Sequence, residues 1–184
     1  MRYIGILYLI LLVLWLFWFE SSTLKQRLID YSATNLQYLR TDIASPGLDF
    51  RMKLVSQLGD KTGLGGIIFL AVHTLERKDS FIAAIAFCVS VTLVGVLKLA
   101  YAEGRPFFLN PGIHPSSCND LEYGYPSGHS CATTCVYITL YNCLMIRHLK
   151  IKSMFCFFSG LVGVIIILGA VAWSRAYNGV HSYD

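Results

Sequence analysis

Apolar positions fall in long blocks, and polar residues are confined to the joints between them. Tyr3 to Phe19 is an unbroken apolar run. Bulky Trp15, Trp18 and Phe19 stand where a signal peptide would need small residues, so the run predicts a retained first span. The pattern changes from Ser21 to Lys53. Leu24, Leu28, Leu36, Leu39 and Ile43 recur near helical spacing with Lys25, Arg27, Asp30 and Arg40 between them. This predicts an amphipathic helix, either on the membrane surface or as a solvated linker, broken at Ser45-Pro46-Gly47. Thr62 to Leu75 is a short apolar run, extendable back to Leu54 if Asp60 and Lys61 sit at the interface. Ser80 to Ala100 is a full-length span with one charge, Lys98, near its end. A polar loop over 101–128 precedes a fourth span, His129 to Ile146, and a fifth, Met154 to Trp173. The pattern predicts an all-α integral-membrane helix bundle with five spans. Residues 1–53 form an N-terminal span plus an interfacial segment, and residues 54–184 form the core.

Composition supports the membrane reading. Of 184 residues, 55% are hydrophobic and 14% charged, and mean hydropathy is +0.55. A soluble domain carries about 25% charged residues. The net charge of +4 suits basic cytoplasmic loops better than a nucleic-acid partner. Cys88, Cys131, Cys135, Cys143 and Cys156 lie in apolar stretches and Cys118 in the polar loop, with no metal-ligand spacing. Arg77, Lys78, Arg147, Lys150 and Lys152 crowd two short turns, which the positive-inside rule makes cytoplasmic. The 101–128 loop and the C-terminal tail then face the exterior or a lumen. The basic residues of 21–53 lie on that same side, against the rule.

Topology gives the few charges their meaning. Lys98 near the end of span three, Arg105 just beyond it, His129 opening span four, and Arg175 and His181 after span five all fall on one membrane face. Singly, Lys98 reads equally as a lysine snorkelling to the interface, Arg105 or Arg175 as an interface anchor, and Pro126-Ser127-Gly128 as a turn and helix cap. Together they suit a phosphate. Guanidinium groups bind phosphate oxygens through paired donors, lysine adds a point charge, and Ser127 and Gly128 offer backbone N–H groups at a helix start. Two histidines can divide nucleophilic and acid–base work.

These residues also form a signature. Lys98-x6-Arg105-Pro106, Pro126-Ser127-Gly128-His129 and Ser174-Arg175-x5-His181 occur in order at the span ends. From about residue 54 onward the chain resembles the type 2 phosphatidic acid phosphatase superfamily, the lipid phosphate phosphatases. The resemblance implies that Lys98, Arg105 and Arg175 clamp the phosphoryl oxygens, with Ser127 and Gly128 adding donors. It implies that His181 attacks phosphorus and that His129 protonates the leaving alcohol and then activates water. It implies no metal and no cofactor. The family's orienting acid follows the nucleophile at plus four, whereas Asp184 stands at plus three. The sixth span of the family has no counterpart, so the core reads as truncated before its last helix.

The expected function is hydrolysis of lipid phosphate monoesters by an integral membrane protein of endoplasmic-reticulum or plasma-membrane type, its site facing the lumen or exterior. Phosphatidate-like, sphingoid and polyprenyl phosphates all fit. A weak or inactive scaffold, suggested by the altered third motif, and a lipid phosphotransferase using the same residues are the other readings.

Overall fold

Pro46 opens a helix here instead of only ending one. A computed structural model describes residues 23–116, 122–149 and 153–181, and no strand occurs among them. Helix α1 (Thr23–Tyr38) runs on through a π-helical turn, Leu39–Ile43. Ser45 then caps α2 (Pro46–Gln57) by accepting from Leu48 N, with Pro46 in the first turn where its missing N–H costs nothing. The predicted break is real, but the chain resumes as a helix. Asp60 caps α3 (Lys61–Thr74) in the same way, accepting from Thr62 N. Helix α4 (Arg77–Tyr101) ends on Ala102 at φ 48°. This left-handed residue reverses the chain towards Arg105 and a short helical turn, α5 (Pro106–Leu109). Helix α6 (Gly128–Asn142) passes into a second π-helical stretch, Cys143–His148, and α7 (Met154–Tyr177) completes the bundle.

Helix α6 is central and packs against α3, α4 and α7, while α2 lies along α7. Leu64, Ala132 and Val136 form the buried contact of α3 with α6, flanked by Ile67, Phe87 and Leu140. A second cluster, Leu36, Leu39, Ile113 and Ala176, seats α1 over the end of α7. Polar ties reinforce that seat. Arg40 pairs with Asp49 at 2.8 Å, donates through Nε to the His114 carbonyl, and lies over the Tyr177 ring. Near the other end of α1, Lys25 meets Glu103 at 3.2 Å and the Tyr125 ring at 4.7 Å.

The outward face is apolar. Phe69, Phe81, Val89, Leu99, Phe155 and Ile166 are each more than half exposed. Such a surface needs lipid around it. Among the described residues two helices are long and apolar enough to cross a membrane: α4, within Arg77–Leu109, and α7. Five spans are therefore not all of this kind. With 14 residues, α3 is short, about 21 Å of helix. The first turns of α6 carry His129, Ser130, Thr133 and Thr134, which dilute its hydropathy. The predicted span Tyr3 to Phe19 and the acid Asp184 lie outside the described residues.

Candidate active site

Three chain reversals on one end of the bundle bring the signature residues together. Lys98 lies in the last turn of α4, Arg105 caps α5, His129 lies in the first turn of α6, and Arg175 in the last turn of α7. His181 follows a tight turn in which Gly179 adopts φ 72°. A Cβ there would also press on Ile113 at 3.2 Å, so glycine is required on both counts. Ser116 ties this turn to the loop through 3.1 Å bonds from its N to the Asn178 carbonyl and from its Oγ to Asn178 Oδ1.

These side chains line one cavity of about 310 Å³. Its polar wall holds Asp60, Lys61, Lys98, Arg105, Glu122, His129, Arg175 and His181; its apolar wall holds Phe87, Val91, Val94, Gly95 and Ala132. Val94, Val91 and Phe87 precede Lys98 by four, seven and eleven residues on α4, so they share its face and descend from it towards the bundle interior. Gly128 also lines this cavity. Ser127 does not: it faces a neighbouring cavity that shares Arg175 and His181, and its Oγ caps α6 by accepting from Ser130 N.

Lys98, Arg105, Arg175 and His181 are no more than 9% exposed, an unusual depth for three cations. Arg105 donates through Nε to the Glu122 carbonyl at 2.7 Å and through a terminal nitrogen to the Val180 carbonyl at 3.0 Å, thereby joining the loop before α6 to the residue before His181. Arg175 donates to Ser56 Oγ on α2 at 3.2 Å. Lys98 Nζ meets Glu122 Oε2 at 2.8 Å. That hydrogen bond, and then the lysine charge, hold the Glu122 carboxyl below the usual glutamate range. Burial, reinforced by the charges of Arg175, Arg105, Lys98 and His129, pushes His181 well below the ordinary histidine value of 6.5. A buried imidazole among cations stays neutral, which is the form with a lone pair to donate.

Ser56, Gly59, Asp60, Lys61 and Glu122 also border or brace the site, although none of them belongs to a motif. Asp60 Oδ1 lies 3.6 Å from His129 Nε2. Burial raises the Asp60 carboxyl, but hydrogen bonds from Thr62 and the Lys61 and Thr62 backbone, with the His129 charge, outweigh it and leave the group lowered. Gly59 makes this approach possible. A Cβ there would stand 2.5 Å from Thr133 Oγ1 and 2.7 Å from Val171 Cγ1. Gly59→Ala is therefore expected to lower stability by about 1–3 kcal/mol through overpacking; thermal unfolding in detergent checks it, and an unchanged midpoint contradicts it. The available signal was positional, since Asp60 and Lys61 start an apolar run on the same membrane face as the motifs.

Residues 79–184, more than half of the chain, match the PAP2 superfamily. The chain belongs to that superfamily. Among curated PAP2-type relatives, undecaprenyl-diphosphatase of Sulfolobus acidocaldarius is 28% identical over 61% of this chain and 48% of its own length. Phosphatidylglycerophosphatase B of Bacillus subtilis is 31% identical over 76% of this chain and 66% of its own length. The matched regions are thus about half and just under two thirds of those relatives. A crystal structure of a transmembrane PAP2 type phosphatidylglycerolphosphate phosphatase from Bacillus subtilis superposes with TM-score 0.74 and 25% identity, covering 96% of this chain and 83% of that one. The helical bundle described above is accordingly the PAP2 membrane fold.

Proposed function

We propose that this protein is an integral-membrane phosphatase that hydrolyses lipid phosphate monoesters through a phosphohistidine, without a metal ion. The observation that carries the reading is the two-sided cavity. Three buried cations and two histidines sit at one end, and an apolar face of α4 descends from Lys98 at the other. A molecule with a phosphate head and a hydrocarbon tail matches both walls. The names of the relatives, a polyprenyl diphosphatase and a phosphatidylglycerophosphatase, support that class of substrate.

In this mechanism Lys98, Arg105 and Arg175 bind the phosphoryl oxygens and spread the charge of the transition state, the work a divalent ion does elsewhere. Backbone N–H groups at Gly128 and the start of α6 add an anion-binding helix end. Neutral His181 attacks phosphorus, forming N–P as the P–O bond to the alcohol breaks, and His129 delivers a proton to the departing oxygen. Water then loses a proton to His129 and attacks phosphorus, and the N–P electron pair returns to His181. Asp184 is the proposed orienter of His181. In this reading the chain crosses the membrane five times, the site lies on the face opposite the basic turns, at the lumen or exterior, and residues 1–53 serve as an N-terminal anchor and interfacial segment with 54–184 as the catalytic core. The test is phosphate release from phosphatidate micelles by purified protein in excess chelator. Undiminished release is expected; release that stops in chelator and returns with magnesium contradicts the metal-free mechanism.

Glu122 makes a separate prediction. Its carboxylate pairs with the Lys98 ammonium at 2.8 Å and competes there with an entering phosphate. The carboxylate is largely exposed, so the pair is worth no more than an ordinary surface ion pair. Glu122→Gln is expected to lower the inhibition constant of inorganic phosphate about fivefold, the scale of such a pair. An unchanged constant in a competitive inhibition assay removes Glu122 from the phosphate's path.

A further inference from the structure

His129 stands among cationic groups. It opens α6, where the helix dipole disfavours positive charge. Lys61 from α3, Lys98 from α4, Arg105 from the loop, and Arg175 with His181 from the end of α7 line the same wall. Among the described residues lining this wall, the charged groups other than Asp60 and Glu122 are cationic, and Glu122 is engaged with Lys98. Asp60, whose Oδ1 lies 3.6 Å from His129 Nε2, sets a carboxylate against this field. Its own position is built in. Thr62 donates to its Oδ2 through Oγ1 at 2.6 Å and through N at 3.4 Å, and the Gly59 backbone is packed directly on α6 beside His129 Cβ.

We propose that Asp60 is a positioning residue for acid–base catalysis: it holds His129 and stabilises its protonated form, so that the leaving alkoxide receives a proton as the P–O bond breaks. The proposal deepens the phosphatase reading above and rests on it. Asp60 stays ionised through both steps. In the first, the proton passes from the His129 imidazolium to the alkoxide oxygen as N–P forms at His181. In the second, water returns a proton to His129, and Asp60 stabilises the imidazolium that results. The two histidines thereby stand in different surroundings: His181 among cations, His129 3.6 Å from a carboxylate.

The test compares two substrates with one tail. O-Dodecyl phosphate leaves as an alkoxide and needs the proton; S-dodecyl phosphorothiolate leaves as a thiolate and does not. Asp60→Asn keeps the size and helix-capping ability of the side chain but removes its charge. It is expected to lower kcat/KM on the oxygen ester about 100-fold, the scale of general-acid catalysis, and on the sulfur ester by less than about threefold. Asp60→Glu should recover at least about a tenth of the lost rate on the oxygen ester, because the charge returns on a longer arm. An equal loss on both esters would mean a merely structural role and overturns the proposal, as does an unchanged oxygen-ester rate. If the unaltered protein cleaves neither ester, the phosphatase reading itself fails and takes this proposal with it.

Discussion

Replacing His181 with asparagine is expected to lower kcat on a lipid phosphate by roughly 10⁴-fold or more, the scale seen when a nucleophile is removed. The structural reason is that, among the described residues, the polar wall of the cavity holds no second imidazole except His129, which is committed to proton transfer. The substitution keeps most of the buried volume, so the thermal midpoint should move by only a few degrees. Residual activity within tenfold of the unaltered protein would assign the attack elsewhere. The same imidazole sets a pH dependence. Its folded value lies well below 6.5 because burial and the surrounding cations oppose protonation. The neutral, reactive form therefore persists as pH falls through 6.5, and is lost only at the lower, folded value. The acid limb of kcat/KM, which reports the free enzyme, should lie below 6.5. A limb at or above that value would contradict the cationic environment described for His181.

The second large effect is expected at Arg105. Its guanidinium is 2% exposed and bridges the Glu122 and Val180 carbonyls. A guanidinium has five donors, enough to hold both carbonyls and bind a phosphoryl oxygen; an ammonium has three and no planar fork. Arg105→Lys keeps the charge but not the bridge. We expect kcat/KM to fall about 10²–10³-fold, as when an oxyanion donor is lost. Loosening the bridge should also lower stability by about 1–3 kcal/mol if the buried Val180 carbonyl is left unbonded. Both are measured on one preparation, by initial rates and by thermal unfolding. Full activity in the lysine variant would reduce Arg105 to a point charge.

Much of this arrangement was legible in the sequence, for a physical reason. Apolar blocks fix the order and direction of the helices, and direction decides which motifs share a face. That logic brought Lys98, Arg105, His129, Arg175 and His181 to one end of the bundle, where one cavity holds them all. What the sequence hid was side-chain reach between elements of ordinary composition. Pro46 looked like a helix breaker, yet Ser45 makes it a helix start, and α2 then delivers Ser56 to Arg175. Asp60 and Lys61 looked like interface charges because nothing local shows that Gly59 packs on α6. Glu122, in a polar loop without motif spacing, gave no sign that its carboxylate meets Lys98. The motif points to the Ser127 backbone N–H as a donor; it does not show that the Ser127 hydroxyl caps α6 and that the residue lines the neighbouring cavity.

The central claim is a covalent phosphohistidine at His181, and one measurement reaches it directly. Purified protein is mixed briefly with a lipid phosphate carrying labelled phosphorus, quenched in alkali where phosphohistidine persists, and digested. The account predicts label on the peptide containing His181, and none in the His181→Asn protein. Turnover by the unaltered protein with no trapped label, or label on a different residue, would contradict it.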